Sequence, residues 1–562
     1  MKHFSKDISI VIGGAAGQGV QTVETMLMTV LKADGYTVFS SKEYMSRIRG
    51  GSNSTEIRIT NDGIRSYTRH IDILFALDNE VIPHLEDRIT GKTIILGEKG
   101  VVKSEHHVID VPLSKMTGEI GSPIYAGTIA VGVILGFLKA PNEAFESFLR
   151  SRFLRKGDVV VKKNLEAAEK GYTLGGHIAY GEAIEITLNK DETNKKKLML
   201  SGDQALGLGV LAAGCNFISS YPMSPGTGLL TFLAEQGGPL GVVVDQAEDE
   251  IAAMNMCLGA WYAGGRAIVT TSGGGFALMC EGVSLSGMIE TPAVIHIGMR
   301  PGPATGLPTR TEQGDLNLAL YSGHGEFPRA IFTPGDQEEI FETAQLAFEM
   351  ASKYQSPVFI LTDQYLLDSV ALVNEEDLKQ LSINTYIVET KDDYKRYSLK
   401  APSGVSPRGI PGYGAGMISV DSDEHDEAGH ITESFILRKQ MMDKRLRKLD
   451  GLTADAQLPT FFGDAKEYET LLVCFGSNKG VITELVRKEG KKMAMLHFSQ
   501  VYPIAPSALK YFKKGKDIVV IENNVTGQFA DLLEKELKVK VGQRILKYIG
   551  EPFSAEEIRA EL

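Results

Sequence analysis

The feature that most constrains this chain is a regular alternation of short apolar segments with longer segments of helical periodicity. Strands that alternate with helices predict an α/β fold, because each helix returns the chain to the edge where the next parallel strand begins. We therefore expect several open, largely parallel sheet domains. The predicted strands are residues 8–12, 73–77, 93–96, 241–245, 267–271, 293–298, 358–362, 470–474 and 518–521.

Two stretches without this alternation divide the chain of 562 residues. Residues 189–197 are polar and charged, as expected of a linker, and residues 401–434 are rich in glycine, proline, serine and acids. A basic helix is predicted to follow at 435–448. The predicted parts are an N-terminal domain at 1–188, a central domain at 196–385, a connector at 386–459 and a C-terminal domain at 460–562.

Charge and hydropathy exclude several classes of protein. The formal net charge is -12, whereas a nucleic-acid-binding protein would show a basic footprint. The longest apolar run, residues 124–138, contains glycines and is shorter than the ~20 residues that a membrane-spanning helix needs. We predict that this run is a core helix. We expect a cytoplasmic protein with no nucleic-acid partner and no membrane partner.

The cysteines also limit the possible chemistry. They are Cys215, Cys257, Cys280 and Cys474, and no two of them have the compact spacing of an iron–sulfur or zinc site. Four scattered cysteines do not suggest a disulfide framework either, and they are typical of a reducing compartment. We therefore expect neither an iron–sulfur cluster nor a zinc site within this chain.

A glycine-rich loop, residues 13–19, follows the first predicted strand and precedes a predicted helix. Its bare backbone amides, including those of Gly14, Gly17 and Gly19, suit a phosphate at a helix N-terminus. A tight strand-to-helix turn without a ligand would use the same residues. The spacing is not that of a dinucleotide site, and residues 39–41 contain no acid that could bind an adenosine ribose.

A second candidate for anion binding lies in residues 44–53. Arg47 and Arg49 precede the paired glycines Gly50 and Gly51. The two arginines could bind an anion, or they could form salt bridges in a surface turn. The sequence leaves both interpretations open.

The central domain contains the turn Tyr221-Pro222-Met223-Ser224-Pro225, followed by a predicted helix at 228–236. Ser224 is predicted to cap this helix, with Pro225 at its first position. The N-terminus of such a helix would present amides and hydroxyls to a carboxylate. A well-capped helix without any ligand has the same pattern.

Three acids open the next predicted helix, which ends near Gly264 and Gly265. Glu248, Asp249 and Glu250 all favour the positive end of the helix dipole. Their spacing directs Glu248 and Glu250 to different faces of the helix, and the pattern alone does not choose between them.

Two further candidates follow predicted strands. A glycine turn, residues 273–275, follows the strand at 267–271, and Arg300 follows the strand at 293–298. Open α/β sheets bind ligands at this carboxyl edge. Arg300 can hold a carboxylate there through two parallel hydrogen bonds, or it can form a structural salt bridge with Glu312 or Asp315.

Taken in order, these segments resemble the alpha subunit of the 2-oxoacid:ferredoxin oxidoreductases. The matching motifs are a Tyr-Pro-x-Thr-Pro-like turn, a Glu-x-x-x-x-Ala-like helix, a Thr-Ser-Gly-x-Gly turn and Arg-x-Gly-Pro-x-Thr-Gly. Residues 1–188 resemble the gamma region of that family, here fused ahead of alpha. Residues 423–430 also resemble family members. The C-terminal domain resembles a transketolase-C-like domain through Phe475-Gly476-Ser477, Val501-Tyr502-Pro503 and residues 522–528.

The resemblance implies a role for each candidate residue. Glu250 matches the catalytic glutamate that hydrogen-bonds the aminopyrimidine ring of thiamine diphosphate. The cofactor contacts implied in addition are Tyr221 and Pro222. The implied contacts with the substrate carboxylate are Ser224, Thr227 and Arg300. The implied contacts with coenzyme A or phosphate are Gly14, Gly17, Gly19 and Arg49.

The sequence departs from the family motifs at three positions. Ser224 stands where threonine is usual, Gly274 where proline is usual, and Ala304 where serine is usual. These departures put the identity of the substrate in doubt rather than the reaction. The acidic and histidine-containing loop 423–430 could bind a metal, but solvated or paired side chains are more common in such a loop, and we assign no metal ligand in this chain.

The chain lacks the Gly-Asp-Gly motif and downstream asparagine with which the family holds the cofactor diphosphate through a divalent cation. The resemblance therefore implies a beta subunit that carries the diphosphate site, Mg²⁺ and a [4Fe-4S] cluster, with ferredoxin as a further partner. It also implies a dimer of alpha–beta heterodimers that is active only as a complex.

The implied reaction converts a 2-oxoacid, CoA and oxidised ferredoxin into acyl-CoA, CO2 and reduced ferredoxin, reversibly. The fused gamma–alpha layout favours 2-oxoglutarate as the substrate, and pyruvate, branched-chain and aryl 2-oxoacids stay open.

Two other classes of function compete with this interpretation. The first is a nicotinamide dehydrogenase subunit built on the N-terminal glycine loop, which the missing ribose-binding acid disfavours. The second is a non-catalytic nucleotide-binding relative that kept the fold, which the presence of Glu250 and Arg300 disfavours.

Overall fold

The computed structural model describes residues 2–45 and 51–562, and these residues form two compact units. The first unit comprises Met1–Leu200 with the segments Asp368–Glu375 and Ser554–Ala560. The second comprises Ser201–Leu367, Glu376–Phe553 and Glu561–Leu562. Two short segments from late in the chain thus belong to the first unit. The predicted domains were continuous stretches of sequence and did not include this exchange.

The strands are numbered along the chain. They are β1 Lys2–Phe4, β2 Asp7–Ala15, β3 Val38–Glu43, β4 Ser52–Thr60, β5 Ile73–Ala76, β6 Ile94–Gly97, β7 Val108–Asp110, β8 Ile184–Ile186, β9 Leu198–Ser201, β10 Phe217–Ser220, β11 Val243–Gln246, β12 Ala267–Thr271, β13 Ala293–Met299, β14 Ala330–Phe332, β15 Pro357–Asp363, β16 Val370–Val373, β17 Thr460–Gly463, β18 Thr470–Phe475, β19 Met493–Phe498, β20 Gln500–Tyr502, β21 Asp517–Glu522 and β22 Gln543–Leu546.

The α-helices are numbered in the same way. They are α1 Val20–Ala33, α2 Val81–Leu85, α3 Leu113–Ile120, α4 Ala126–Leu138, α5 Asn142–Phe153, α6 Asp158–Gly181, α7 Gly202–Ala212, α8 Thr227–Gln236, α9 Glu250–Tyr262, α10 Gly273–Met288, α11 Leu316–Leu320, α12 Gln337–Tyr354, α13 Gln364–Asp368, α14 Phe435–Ala454, α15 Asn478–Glu489, α16 Leu509–Phe512, α17 Gln528–Leu537 and α18 Ala555–Glu561.

The first unit is built on an eight-stranded mixed sheet in the order β7-β6-β5-β2-β4-β3-β16-β9. Strands β2, β5, β6 and β7 are parallel, and β4 is antiparallel to both β2 and β3. The apolar run predicted to be a core helix forms α4, which is buried. Glycines let α4 and α6 pack closely, since a Cβ at Gly175 would lie 2.1 Å from the carbonyl oxygen of Val133.

No single helix among the described residues is long and apolar enough to cross a membrane. One pair of helices, Leu113–Ile120 and Pro123–Leu138, is long and apolar enough when taken together, but the two are bent by 119° relative to each other.

The second unit contains two sheets, and both confirm the predicted α/β class. The larger has the order β11-β10-β12-β13-β15-β14-β20 and is parallel except for β20. The smaller has the order β17-β19-β18-β21-β22 and is parallel except for β17. Strand β20 lies within the predicted C-terminal domain, yet it completes the larger sheet.

The connector is part of the second unit and contacts the rest of it through α14, the predicted basic helix. Its Lys444 and Lys448 are buried and pair with the buried carboxylate of Glu290, at 2.7 Å and 2.5 Å from Oε2. The side chains of Arg396 and Tyr397 from the irregular part of the connector donate to the carbonyl oxygens of Glu290 and Ile289. The predicted basic helix therefore contributes charges to the interior.

Candidate active site

Four of the motifs identified in the sequence meet at the carboxyl edge of the seven-stranded sheet. The turn after β10, the start of α9 after β11, the start of α10 after β12 and the loop after β13 all follow parallel neighbouring strands. Parallel strands end at the same edge, so the topology brings these motifs together. The order of the strands, which the sequence did not state, determines which motifs become neighbours.

The turn that contains Ser224 differs from the prediction. Helix α8 begins at Thr227 with Gly226 at its N-cap, and no side chain caps it, so Ser224 is not the cap and Pro225 is not the first helical residue. The turn lies over the neighbouring strands instead. Thr270 Oγ1 donates to the carbonyl oxygen of Gly226 at 3.0 Å. A Cβ at Gly298 would lie 2.7 Å from Cγ of Pro225, so only glycine at 298 permits this approach.

The predicted cofactor contacts in this turn are accessible. Tyr221 is 40% exposed and Pro222 and Ser224 are exposed, while Thr227 is half-buried at the first turn of α8. The hydroxyl of Ser220 anchors the start of the turn by donating to the carbonyl oxygen of Thr270 at 2.6 Å. The roles of Tyr221, Pro222, Ser224 and Thr227 in binding stay predictions.

The structure gives different burial to the two glutamates that the acidic pattern alone did not distinguish. Asp249 caps α9 by accepting a hydrogen bond from the backbone nitrogen of Ala252 at 2.7 Å. This cap sets the phase of the first turn. Glu250 is then 3% exposed, whereas Glu248 is exposed.

The carboxyl group of Glu250 has an oxygen, Oε1, that is buried and has no hydrogen-bond partner among the residues described. It packs against the glycine turn of α10, where a Cβ at Gly275 would lie 2.5 Å from this oxygen and 2.3 Å from Oγ1 of Thr271. Leaving such a group unsatisfied costs about 1–3 kcal/mol. A buried carboxyl oxygen open to a ligand fits the aminopyrimidine ring of thiamine diphosphate, which presents nitrogen atoms to an acid.

Arg300 directly follows β13, as predicted, and its contacts bear on the two interpretations given for it. Its Nη1 donates to the carbonyl oxygen of Ser224 at 2.6 Å, which joins two of the predicted substrate-binding residues. No carboxylate in the described part of the chain lies within 4.0 Å of it, so the salt bridge to Glu312 or Asp315 is absent. Burial lowers the pKa of Arg300, and the negative charge of Asp315 opposes this.

Sequence reasoning gave no role of its own to Asp315. Its carboxylate rests on the start of α10, where a Cβ at Gly273 would lie 2.3 Å from Oδ1, and its Oδ2 is buried with no partner among the described residues. Burial raises the pKa of Asp315 to about 6, against the opposing charge of Arg300. Glu250 and Asp315 thus flank one glycine turn. The sequence signal that could have identified Asp315 is the presence of an acid a few residues beyond the loop that follows Arg300.

His296 was also missed, although a histidine in an apolar strand is unusual. It is fully buried in β13, with Nδ1 2.7 Å from Thr270 Oγ1 and Nε2 2.8 Å from Thr362 Oγ1. Burial lowers the pKa of His296 to about 3, so the ring is neutral at pH 7. Because Thr270 gives its hydroxyl proton to Gly226, it accepts from Nδ1–H of His296. The histidine therefore supports the turn that carries Ser224.

The N-terminal glycines lie in the first unit. Gly14 is within β2 rather than in the loop, because β2 extends to Ala15 and pairs there with Ser52. Gly17 and Gly19 have positive φ angles, 93° and 79°, and Gly19 is the N-cap of α1. Their role in binding coenzyme A or phosphate stays a prediction. Arg47 and Arg49 lie outside the described residues.

The loop 423–430 is held by structural contacts. His425 is buried, its ring centroid lies 4.0 Å from that of Tyr397, and its Nδ1 lies 3.0 Å from the carbonyl oxygen of Asp423. Glu424 pairs with Arg438 at 2.6 Å and also with Arg445. Within residues 2–45 and 51–562, no group of three or more His, Cys, Asp or Glu side chains could hold a metal ion.

Comparison with known proteins identifies the family to which these segments belong. Residues 208–444 match the family described as pyruvate flavodoxin/ferredoxin oxidoreductase, thiamine diphosphate-binding, and residues 9–174 match pyruvate ferredoxin/flavodoxin oxidoreductase. The 2-oxoglutarate synthase subunit KorA of Methanocaldococcus jannaschii is 30% identical over 64% of this chain and 97% of its own length. This chain belongs to the family of 2-oxoacid:ferredoxin oxidoreductase alpha subunits.

Other family members match the whole chain. The 2-oxoacid:ferredoxin oxidoreductase alpha subunit of Sulfolobus sp. is 29% identical over 99% of this chain and 96% of its own length. A solved 2-oxoglutarate:ferredoxin oxidoreductase from Magnetococcus marinus, with 2-oxoglutarate, coenzyme A and succinyl-CoA bound, superposes with a TM-score of 0.93 at 27% identity and covers 99% of each chain. The chain is therefore an oxidoreductase subunit with a thiamine diphosphate-binding domain.

Proposed function

We propose that this chain supplies the pyrimidine-binding half of the cofactor site and the substrate arginine of a CoA-dependent 2-oxoacid:ferredoxin oxidoreductase that acts on 2-oxoglutarate. The observation that carries the proposal is Oε1 of Glu250, a buried carboxyl oxygen at the carboxyl edge of the sheet that has no hydrogen-bond partner among the described residues. Thiamine diphosphate, when bound, supplies the electron sink for decarboxylation. The residues of this chain hold that cofactor and orient the substrate.

Glu250 donates or accepts a proton at the aminopyrimidine ring from a fixed position. Its backbone is set by the Asp249 cap, and its side chain is confined by the glycine turn at Gly275. A carboxyl group that is held in place and screened from water can exchange a proton with one nitrogen of a ligand instead of with solvent.

Arg300 and the Ser224 turn form the binding site for the carboxylate that all 2-oxoacids share. The bond from Arg300 to the carbonyl oxygen of Ser224 uses Nη1, and the guanidinium is half-buried. Its other donors can form charge-assisted bonds to a carboxylate, each worth about 1.5–3 kcal/mol.

The remaining half of the site is assigned to a beta subunit that carries the diphosphate site, Mg²⁺ and a [4Fe-4S] cluster. The elements that carry Glu250 and the glycine turn expose apolar side chains, namely Val243 on β11, Ile251 and Met256 on α9, and Leu278 on α10. These range from 39% to 58% exposed. Covering them with a partner would bury apolar surface and exclude water from the site at the same time.

The choice of 2-oxoglutarate is supported by the names of several relatives and by the bound ligands of the Magnetococcus marinus enzyme. A panel of 2-oxoglutarate, pyruvate, branched-chain and aryl 2-oxoacids, assayed with CoA and ferredoxin on the reconstituted complex, tests it. The highest kcat/KM is expected for 2-oxoglutarate. A higher kcat/KM for another 2-oxoacid would contradict the choice of 2-oxoglutarate but not the proposed type of reaction.

The Glu250→Gln variant tests the cofactor site, with Glu248→Gln as its matched control. In the reconstituted complex, Glu250→Gln is expected to abolish exchange of the C2 proton of bound thiamine diphosphate, because the amide cannot exchange a proton with the ring. Glu248→Gln, whose carboxylate is exposed, is expected to exchange at the wild-type rate. Exchange at the wild-type rate in Glu250→Gln would contradict the proposed role of Glu250 in proton transfer to the cofactor.

A further inference from the structure

Strand β13 and the residue that follows it hold the Ser224 turn at alternate positions. Side chains two residues apart in a strand face the same side of the sheet, so positions 296, 298 and 300 share one face. Arg300 donates to the carbonyl oxygen of Ser224 at 2.6 Å. A Cβ at Gly298 would lie 2.7 Å from Cγ of Pro225. The third position, His296, contacts the turn indirectly.

His296 reaches the turn through Thr270 of the neighbouring strand β12. The two residues are paired in the parallel register of β12 and β13, and His296 Nδ1 lies 2.7 Å from Thr270 Oγ1. Thr270 Oγ1 donates to the carbonyl oxygen of Gly226 at 3.0 Å. Gly226 follows the turn directly and is the N-cap of α8. A Cβ at Gly226 would lie 2.9 Å from Thr270 Oγ1, so the backbone at this point lies against the hydroxyl.

On its other side His296 contacts Thr362 of β15, with 2.8 Å between Nε2 and the threonine hydroxyl. Thr270, His296 and Thr362 are each no more than 1% exposed. Burial lowers the pKa of His296 to about 3, so the neutral ring has one N–H. Because Thr270 gives its hydroxyl proton to Gly226, it accepts from Nδ1–H of His296. Nε2 is then the acceptor for the hydroxyl of Thr362. The hydrogen bonds therefore run in one direction, from Thr362 to the carbonyl oxygen of Gly226.

The place of the turn affects the proposed carboxylate site, because Arg300 is bonded to the turn. A shift of the turn would move the carbonyl oxygen of Ser224 and the guanidinium that donates to it. The hydrogen bonds through His296 oppose such a shift. Their donors and acceptors are buried, and movement of the turn would leave them unpaired away from water.

We infer that His296 is a positioning residue for the carboxylate of the 2-oxoacid. Its Nδ1–H orients the hydroxyl of Thr270 toward the carbonyl oxygen of Gly226. This bond holds the Ser224 turn in the place where Arg300 reaches both the turn and the substrate. The inference rests on the proposed function, since it takes Arg300 as the partner of the substrate. Loss of the positioning bond should weaken the binding of every 2-oxoacid and leave the chemistry of the cofactor unchanged.

Two amide variants of His296 test which nitrogen matters. The amide nitrogen of His296→Asn can take the place of Nδ1 and donate to Thr270, whereas that of His296→Gln extends to the place of Nε2 and leaves Thr270 without a donor. In the reconstituted complex, His296→Gln is expected to raise KM for both 2-oxoglutarate and pyruvate about tenfold, with kcat changed by less than about twofold. His296→Asn is expected to keep KM within about threefold of wild type. Both should exchange the C2 proton of bound thiamine diphosphate at the wild-type rate.

Two threonine variants give an independent test if the variants of His296 do not fold. Thr270→Val removes the hydroxyl that donates to Gly226 and is expected to raise KM about tenfold, as His296→Gln does. Thr362→Val is the matched control, because it removes a buried hydroxyl that bonds the other side of the ring. It is expected to keep KM within about threefold of wild type. An equal rise of KM in both valine variants would overturn the inference, since it would reflect a general loss of packing.

Arg300→Ala distinguishes failure of this inference from failure of the proposed function. A lower kcat/KM in Arg300→Ala, together with a wild-type KM in His296→Gln and Thr270→Val, would overturn the inference alone. Equal rises of KM in His296→Asn and His296→Gln would also overturn it, because a donor at Nδ1 would then not matter. Unchanged kinetics in Arg300→Ala would remove the proposed substrate site and the inference with it.

Discussion

Two sets of buried carboxyl groups in the second unit differ in whether the protein itself satisfies them. Glu290 is 1% exposed, and both of its oxygens contact ammonium groups, from Lys444 and Lys448. Glu250 is similarly buried, at 3%, yet its Oε1 has no partner in the described part of the chain. Burial alone therefore does not show whether the protein itself satisfies an acid.

The difference lies in what surrounds each group. Burial by itself would raise the pKa of Glu290, but the positive charges of Lys448, Lys444 and Arg396 outweigh it and hold the pKa well below its usual range. Among the described residues, no lysine, arginine or histidine lies within 4.0 Å of the Glu250 carboxyl group. A carboxylate with its partners inside the chain stabilises the connector, whereas one without them is available to a ligand.

The largest expected effect concerns the structural acid. Glu290→Gln is expected to lower the free energy of unfolding by about 3–5 kcal/mol, because it leaves two buried ammonium groups without a counter-charge. Thermal or denaturant unfolding of the complex measures this. Asp443→Asn, which breaks an exposed pair with Lys439 on the same helix, is the control and should change stability by less than about 0.5 kcal/mol. Equal effects of the two variants would contradict the conclusion that the buried Glu290 ion pairs stabilise the fold more than an exposed pair does.

The next effect concerns Arg300. Arg300→Ala is expected to lower kcat/KM for all 2-oxoacids by about ten- to a few hundredfold, since a charge-assisted bond is worth roughly 1.5–3 kcal/mol. Arg300→Lys keeps the charge but not the forked donors, so it should also lose activity. Steady-state rates and a melting curve on one preparation check this. A loss of stability with normal kinetics would indicate a structural arginine instead.

The pH dependence of stability sharpens the comparison further. The pKa of Glu290 is lowered in the folded state, so its contribution is fully present above the unfolded glutamate value, about 4.3, and is lost as the pH falls below it. The stability difference between wild type and Glu290→Gln should stay constant from about pH 6 to 5. It should then shrink by at most about 1.4 kcal/mol per pH unit. A difference that is unchanged down to pH 3 would contradict the assigned ion pairs.

The smallest expected effect is on the stability of the cofactor site. Glu250→Gln without cofactor is expected to change the free energy of unfolding by less than about 1 kcal/mol, because no internal bond to Oε1 is lost. With thiamine diphosphate present, wild type should gain thermal stability and the variant should gain less. A large loss of stability without cofactor would show that Glu250 has a structural partner.

Much of the fold could be predicted from local patterns. Every strand predicted from the sequence is present within a few residues of its predicted bounds, because apolar runs bounded by glycine turns depend little on distant contacts. The antiparallel strand β4 was not predicted, and neither was the return of β16 to the first sheet. Both depend on pairing between segments far apart in the chain. The cap assigned to Ser224 was wrong for a related reason, since tertiary contacts at Thr270 and Gly298 decide where α8 begins.

The sequence by itself determined the α/β class, the order of the motifs and the residue types from which a cofactor and carboxylate site can be built. The residue pattern alone did not choose between Glu248 and Glu250, or between a substrate arginine and a salt-bridged one, and the choice of Glu250 and Arg300 came from the family resemblance. Only the tertiary structure decided which glutamate is buried and whether Arg300 forms a salt bridge, because these depend on which side chains share an interior and which partners reach them; the roles of Glu250 and Arg300 stay predictions. Helix phase and strand order, not composition, bury Glu250 with no partner for its Oε1 in the part of the chain that the structure describes, whereas Glu290 pairs with two lysines.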